Sequence, residues 1–122
     1  MSWTIRAEAA GDPVGIWTTQ DGDARVKIEP CHRHHERLCG YIVWVADTSG
    51  TAPGEKPALM GFRLLSRFVP DGQGGWGGGE ILDPSSGRVY RSKLALRSPD
   101  ELQVSGCFLV FCGSQIWHRY RP

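Results

Sequence analysis

The most chemically suggestive stretch of the sequence is a loop with three histidines, His32, His34 and His35, between Cys31 and Cys39. Imidazole and thiolate groups are good ligands for zinc, nickel and copper. The spacing matches no standard zinc pattern, however, and the arginines in the same loop would repel a cation. We therefore predict no metal site and no cofactor. The histidine loop is interpreted as a solvated hairpin connection that binds metal only weakly.

The four cysteines form two close pairs in the sequence, Cys31 with Cys39 and Cys107 with Cys112. An even number at short spacing in a small β-rich chain favours disulfides when the compartment is oxidising. Four cysteines allow three connectivities, and reduced thiols are a further alternative. We favour two local bridges because Cys31 and Cys39 flank a hairpin loop. A bridge there would also remove both thiolates from any metal site.

Two acidic residues close in sequence, Glu80 and Asp83, come nearest to an acid–base pair for catalysis. No motif supplies a nucleophile or base beside them, since the chain has no G-x-S-x-G elbow, P-loop or kinase motif. Residues 72–77 fit the letters G-x-G-x-x-G, but a dinucleotide fingerprint follows a strand and opens a helix. Here a turn precedes the glycines and a strand follows them. We predict that the protein is not an enzyme.

The elements that must position these groups are short strands. Apolar and polar residues alternate in segments separated by Gly, Pro, Asp and Ser turns. Eight segments are predicted as strands: 15–19, 24–29, 38–46, 61–69, 76–82, 89–96, 102–108 and 115–120. Short connections make successive strands antiparallel neighbours, and eight of them can close without free edges. The prediction is an all-β fold, a single eight-stranded antiparallel up-and-down barrel over residues 13–122 after an N-terminal tail, residues 1–12. A two-sheet sandwich is the alternative.

A tryptophan and an arginine at opposite ends of the chain are expected to meet in such a barrel. Trp17 lies on the first strand and Arg119 on the last, and closure makes these strands neighbours. A guanidinium stacked over an indole gains aromatic burial and a cation–π contact. The pairing resembles the calycin signature, whose role is structural. It implies a plug of Trp17 and Arg119 at one end of the barrel.

A wider set of motifs carries a more specific resemblance. They are DPVGIW at 12–17, RVKIEPC at 25–31, LCGYIVW at 38–44, GWGGGEILDP at 75–84, GRVY at 87–90, LQVSGC at 102–107 and QIWHR at 115–119. Together they resemble the bacterial domain-of-unknown-function family 2147. The resemblance implies a lipocalin-like barrel, exported to the periplasm or beyond, with no assigned catalytic activity. The connection at 46–59 looks shorter than is usual in that family, which could alter the barrel mouth.

The N-terminus and the charge bear on localisation and partners. Residues 7–9 read Ala-Glu-Ala, like the end of a signal peptide, but residues 1–6 are too short to supply its charged start and apolar region. We expect a periplasmic or secreted protein without its signal peptide in this sequence, with a cytoplasmic protein as the alternative. The net charge of +1 and the lack of a basic patch argue against a nucleic-acid partner. No apolar run approaches the roughly 20 residues that cross a bilayer.

The interior of an eight-stranded barrel is either filled by side chains or holds one small ligand. We predict non-covalent capture of a small hydrophobic or amphipathic molecule at the end away from the plug. The predicted ligand-binding residues are Trp44, Phe62, Leu64 and Tyr90, with polar groups from Ser92, Glu80 and Gln115. The alternatives are a filled barrel that acts through its surface, with Trp3 or Tyr41 at an interface, and a metal-binding protein that uses the histidine loop.

Two of these assignments follow from unbroken alternation along a strand. Alternation places Ile42 and Trp44 together on the inner face of the third strand, although the residues between and beside them are apolar too. In the fifth strand, an inner row that begins at Trp76 and skips every second residue would include Glu80. A carboxylate inside the barrel needs a partner, either a ligand or an arginine.

Overall fold

Eight strands form the whole of the regular structure in a computed structural model that describes residues 11–108 and 111–122. The strands are β1 (Gly15–Thr18), β2 (Ala24–Pro30), β3 (Leu38–Val45), β4 (Arg63–Pro70), β5 (Gly75–Leu82), β6 (Val89–Ser98), β7 (Glu101–Phe108) and β8 (Phe111–Arg119). The described residues contain no helix. Most of the predicted tail, with Trp3 and the Ala-Glu-Ala segment at 7–9, lies outside the described residues.

The strands close into one barrel in which each strand pairs antiparallel with its neighbour in sequence. β8 completes the circle by pairing with β1 through Trp17 opposite Arg119 and Thr18 opposite His118. The predicted fold class is confirmed. The largest difference in strand bounds is at β8, which begins at Phe111 because its pairing with β7 extends to Phe111 opposite Phe108.

The core lies inside the barrel and follows from period-2 alternation in the strands. In β2, Val26 and Ile28 are fully buried, whereas Lys27 between them is exposed. Their neighbours across the interior are large side chains, including Leu65 and Phe68 from β4. A strand with one apolar and one polar face is stable only when its apolar face is covered, and barrel closure covers all eight.

One end of the barrel is closed by Trp17 and Arg119. The Arg119 guanidinium carbon lies 4.3 Å from the centre of the Trp17 ring, and Trp17 is fully buried. The indole N–H donates to the Pro13 carbonyl oxygen at 2.8 Å. Arg119 also donates to the carbonyl oxygens of Asp12 and Val14, at 2.8 and 3.0 Å. The arginine thus ties the segment before β1 to the end of β8.

A bulge in β3 changes which side chains face the interior. Val26 pairs with Ile42, but the preceding residue Arg25 pairs with Trp44, which leaves Val43 as an extra residue. An extra residue reverses the inside–outside alternation beyond it. Ile42 is therefore in the core, whereas Trp44 lies outside beneath Arg25, whose guanidinium carbon is 4.1 Å from the indole centre. The inner position predicted for Trp44 is wrong.

A second bulge, in β5, has the same effect on Glu80. Trp76 pairs with Leu94 and Gly79 with Ser92, so β5 has one more residue than β6 between these pairs. The side chain of Glu80 consequently faces outward and is 44% exposed. Its Oε1 atom forms an ion pair at 3.2 Å with Nη2 of Arg67. The inner row that included Glu80 is not formed.

Both cysteine pairs are bridged, as Cys31–Cys39 and Cys107–Cys112. The structure thus confirms the predicted pair of local bridges. The first lies at the closed end and is buried at both cysteines. The second joins β7 to β8 near the opposite end, where Cys112 is exposed.

Candidate functional site

A cavity of about 850 Å³ opens at the end of the barrel opposite the plug. The β1–β2 and β5–β6 turns and parts of β7 and β8 border it, and Leu59 from the β3–β4 connection also contributes. The cavity extends inward to residues of the core, among them Ile42 and Trp117. The described side chains therefore fill the barrel at one end and leave a cavity at the other.

The wall of the cavity is mainly apolar. Its apolar residues include Ile42, Leu64, Ile81, Val104 and Trp117. Trp117 is only 2% exposed, and its indole N–H donates to Oε1 of Gln115 at 2.9 Å. An apolar ligand entering here would be surrounded by side chains from β3, β4, β5, β7 and β8.

Two glycines make the space in the wall. Gly106 and Gly113 pair across β7 and β8, in the same alternation as the buried residues Leu102 and Val104. A Cβ atom added at Gly113 would meet no atom of the described residues within 4 Å. One added at Gly106 would make ordinary contacts of 3.6 Å with Ile81 and Tyr90. Larger residues at this pair would fill the cavity.

The mouth carries the charged residues of the site: Asp21, Asp23, Asp83 and Arg88. Asp23 accepts a hydrogen bond from the Thr19 hydroxyl. Asp83 accepts hydrogen bonds from the hydroxyl and the backbone N–H of Ser85, which lower the pKa of the Asp83 carboxyl. Both carboxylates are therefore held by the turns that form the rim.

Three of the predicted ligand-binding residues line the cavity: Leu64, Tyr90 and Gln115. Ser92 is 4% exposed and donates its hydroxyl to the Ser105 carbonyl oxygen, so that group is already used. Phe62 is half-buried against the core and is not part of the cavity wall. Trp44 and Glu80 face outward, beyond the two bulges.

Several wall residues were missed by sequence reasoning, above all Ile81, Gly106 and Gly113. Ile81 was missed because the bulge in β5 places it, rather than Glu80, on the inner face. The glycines carried a usable signal. A glycine at an inward position of an otherwise apolar strand marks a place where space or a close approach is needed.

The histidine loop is exposed at the closed end. His32 stacks on Tyr41 with ring centres 5.8 Å apart, and its Nε2 atom lies 3.8 Å from Oε2 of Glu29. The Cys31–Cys39 bridge leaves neither sulfur as a thiolate. Among residues 11–108 and 111–122, no group of three or more His, Cys, Asp or Glu side chains is arranged to hold a metal ion.

Comparison with known proteins places the chain in a family. The bacterial family described as "Uncharacterized protein conserved in bacteria (DUF2147)" matches residues 15–119, from the first residue of β1 to the last residue of β8. The chain belongs to the DUF2147 family. No curated protein matches it. The family match therefore covers the complete barrel of this DUF2147 protein.

A solved structure shows the same fold. This DUF2147 protein is similar to protein HP1028 from the human pathogen Helicobacter pylori, which is described as belonging to the lipocalin family. The two chains are 18% identical, the match covers 90% of this chain and 84% of that chain, and the TM-score is 0.68. The shared architecture is a lipocalin-like barrel. The part of the chain described by the structure has no helix that could cross a membrane.

Proposed function

We propose that this DUF2147 protein is a non-enzymatic binding protein that holds one small hydrophobic or amphipathic molecule in its barrel. The cavity of about 850 Å³, open to solvent at one end and apolar within, carries the proposal. Its size is within the range of roughly 300–1,000 Å³ typical of small-molecule sites. The structural similarity to a protein described as a lipocalin also supports this proposal, because the two chains share the barrel that encloses the cavity.

The binding energy would come from the apolar wall. Each Å² of apolar ligand surface that leaves water contributes about 25 cal/mol, so a ligand with a long apolar part gains most. Tyr90 and Gln115 also line the cavity and would make polar contacts with the part of the ligand beside them, Gln115 through its amide nitrogen because its Oε1 atom accepts from Trp117. The ligand would thus insert its apolar end toward Trp117 and leave its polar end at the mouth.

A cavity-filling variant tests the proposal. N-phenyl-1-naphthylamine, an uncharged probe that fluoresces in apolar surroundings, is titrated into the protein. We expect saturable binding at one site, and about tenfold or greater loss of affinity in Gly113→Leu, because the added side chain occupies the cavity. The matched control is Lys93→Leu, which adds the same side chain at an exposed position on β6.

The controls decide what the probe reports. Lys93→Leu is expected to bind like the wild type, and circular dichroism verifies that both variants fold. Non-saturable fluorescence, or equal probe affinity in Gly113→Leu and the wild type, would show that the probe does not enter the cavity. Either result would contradict the proposed function.

We further propose that the protein works in the periplasm or outside the cell. The two disulfides support this, because such bridges persist in oxidising compartments and are rare in the cytosol. Thiol alkylation of protein trapped in its own host cells, before lysis, is expected to label none of the four cysteines. Full labelling of all four would place the protein in a reducing compartment.

A further inference from the structure

Among the described residues that line the cavity, the charged ones are all at its mouth. Among the residues that line the cavity, three are acidic, Asp21, Asp23 and Asp83, and one is basic, Arg88. The inner wall consists of apolar side chains, glycines and uncharged polar groups. A ligand that inserts an apolar tail therefore leaves its polar end among an excess of two negative charges.

Two of the three carboxylates are held in the rim by hydrogen bonds. Asp23 accepts from Thr19 at the β1–β2 turn, and Asp83 accepts from Ser85 at the β5–β6 turn. The two turns lie on different sides of the mouth, so negative charge borders it from more than one direction. The Asp83 carboxylate is ionised at neutral pH, and its hydrogen bonds with Ser85 lower its pKa further.

An anionic ligand end would find no cationic partner in the described wall below the rim. The described wall below the rim carries no lysine, arginine or histidine. A carboxylate drawn into that part of the cavity would lose its hydration without gaining a cation, which is costly. Arg88 is exposed at the rim and belongs to the same turn as Asp83, whose backbone N–H donates to the Arg88 carbonyl oxygen at 2.8 Å.

We propose that the cavity selects amphipathic molecules with an apolar tail and a protonated amine at the exposed end, over carboxylates with the same tail. The inference rests on the proposed function, because the cavity is the site and the rim charges decide which ligand end it accepts. At the rim, an ammonium would be attracted by the three carboxylates and a carboxylate would be repelled. Attraction between exposed opposite charges in contact is weak in bulk water and larger near a protein surface.

Competition among three ligands with one tail tests the selection. Dodecylamine, 1-dodecanol and dodecanoate displace N-phenyl-1-naphthylamine from the wild-type protein at neutral pH and low salt, below their micelle concentrations. We expect the order amine, alcohol, carboxylate, with about tenfold or more between the first and the last. The difference between amine and carboxylate should shrink at high salt, because exposed charges are screened.

Charge removal at the rim identifies the cause. The variant Asp21→Asn, Asp23→Asn, Asp83→Asn removes three charges but retains a side-chain oxygen to accept the hydrogen bonds from Thr19 and Ser85. It is expected to lose the preference for the amine. The matched control makes the same three-charge change at the closed end, in Asp12→Asn, Asp71→Asn, Asp100→Asn.

The closed-end control is well matched because Asp12 and Asp71 also accept turn N–H groups, from Val14 and from Gln73. It is expected to keep the amine preference of the wild type. Tight binding of all three ligands without preference, or a preference for dodecanoate, would overturn the charge selection. The proposed function would still stand. Equal loss of preference in the control would assign the effect to net charge and overturn the role of the rim. If the probe itself does not bind saturably, both proposals fail.

Discussion

Glycines of the packed half and of the open half of the barrel have opposite roles. In the packed half, a Cβ atom added at Gly40 would lie 2.9 Å from Cδ1 of Leu65, and one added at Gly79 would overlap the ring of Phe68. In the open half, a Cβ atom added at Gly113 would meet nothing within 4 Å in the part of the chain that the structure describes. The first two glycines make room for a core side chain. Gly113 borders cavity space that no described side chain occupies.

This difference separates stability from binding along one barrel. The packed half carries the fully buried side chains, among them Trp17, Phe68 and Leu102, and the closed end is tied by Arg119. Burial of such side chains dominates folding free energy. The open half contributes less burial and presents the cavity. Changes in the packed half should therefore alter stability, and changes in the open half should alter ligand binding.

The same substitution at two adjacent residues gives the largest expected contrast. Leu65→Ala should lower the free energy of unfolding by about 3 kcal/mol, because Leu65 is 1% exposed and its loss leaves a sealed void. Leu64→Ala should lower it by only about 1 kcal/mol, because Leu64 is half-buried and already borders the open cavity. Urea unfolding followed by tryptophan fluorescence measures both values.

Binding should show the reverse contrast. Leu64→Ala changes the cavity wall and is expected to alter the affinity for N-phenyl-1-naphthylamine. Leu65→Ala is expected to leave that affinity near the wild-type value under conditions where it is folded. If the two variants were destabilised equally, the division into a packed and an open half would be wrong.

The barrel itself could be predicted from the sequence, because it depends on features repeated along the chain. Alternation in β2, turn residues between the strands, and short connections are enough to give eight antiparallel strands. The place of Trp17 beside Arg119 then follows from closure. The local disulfides follow from cysteines that flank a single turn, although the sequence alone also allows other pairings.

The site was harder to predict because it depends on single irregularities. One extra residue, Val43, turns Trp44 outward, and one extra residue in β5 does the same to Glu80. A bulge is specified by pairing with the neighbouring strand, so the sequence of one strand does not reveal it. The same holds for Ser92, whose hydroxyl is taken by a carbonyl oxygen of β7. The sequence shows where the glycines are, but it does not show whether a glycine lies against a core side chain or borders the cavity.

The two kinds of glycine provide the second and smaller contrast. Gly79→Ala should destabilise the protein by about 2 kcal/mol, because the added methyl group must displace the Phe68 ring in a fully packed core. Gly113→Ala should change stability by less than about 1 kcal/mol in either direction, since the methyl group enters open space. Neither glycine has the positive φ that an alanine would disfavour. Urea midpoints of the two variants and the wild type, measured side by side, test this. A loss at Gly113 as large as that at Gly79 would mean that the open end is packed in solution, and it would remove the space on which ligand binding depends.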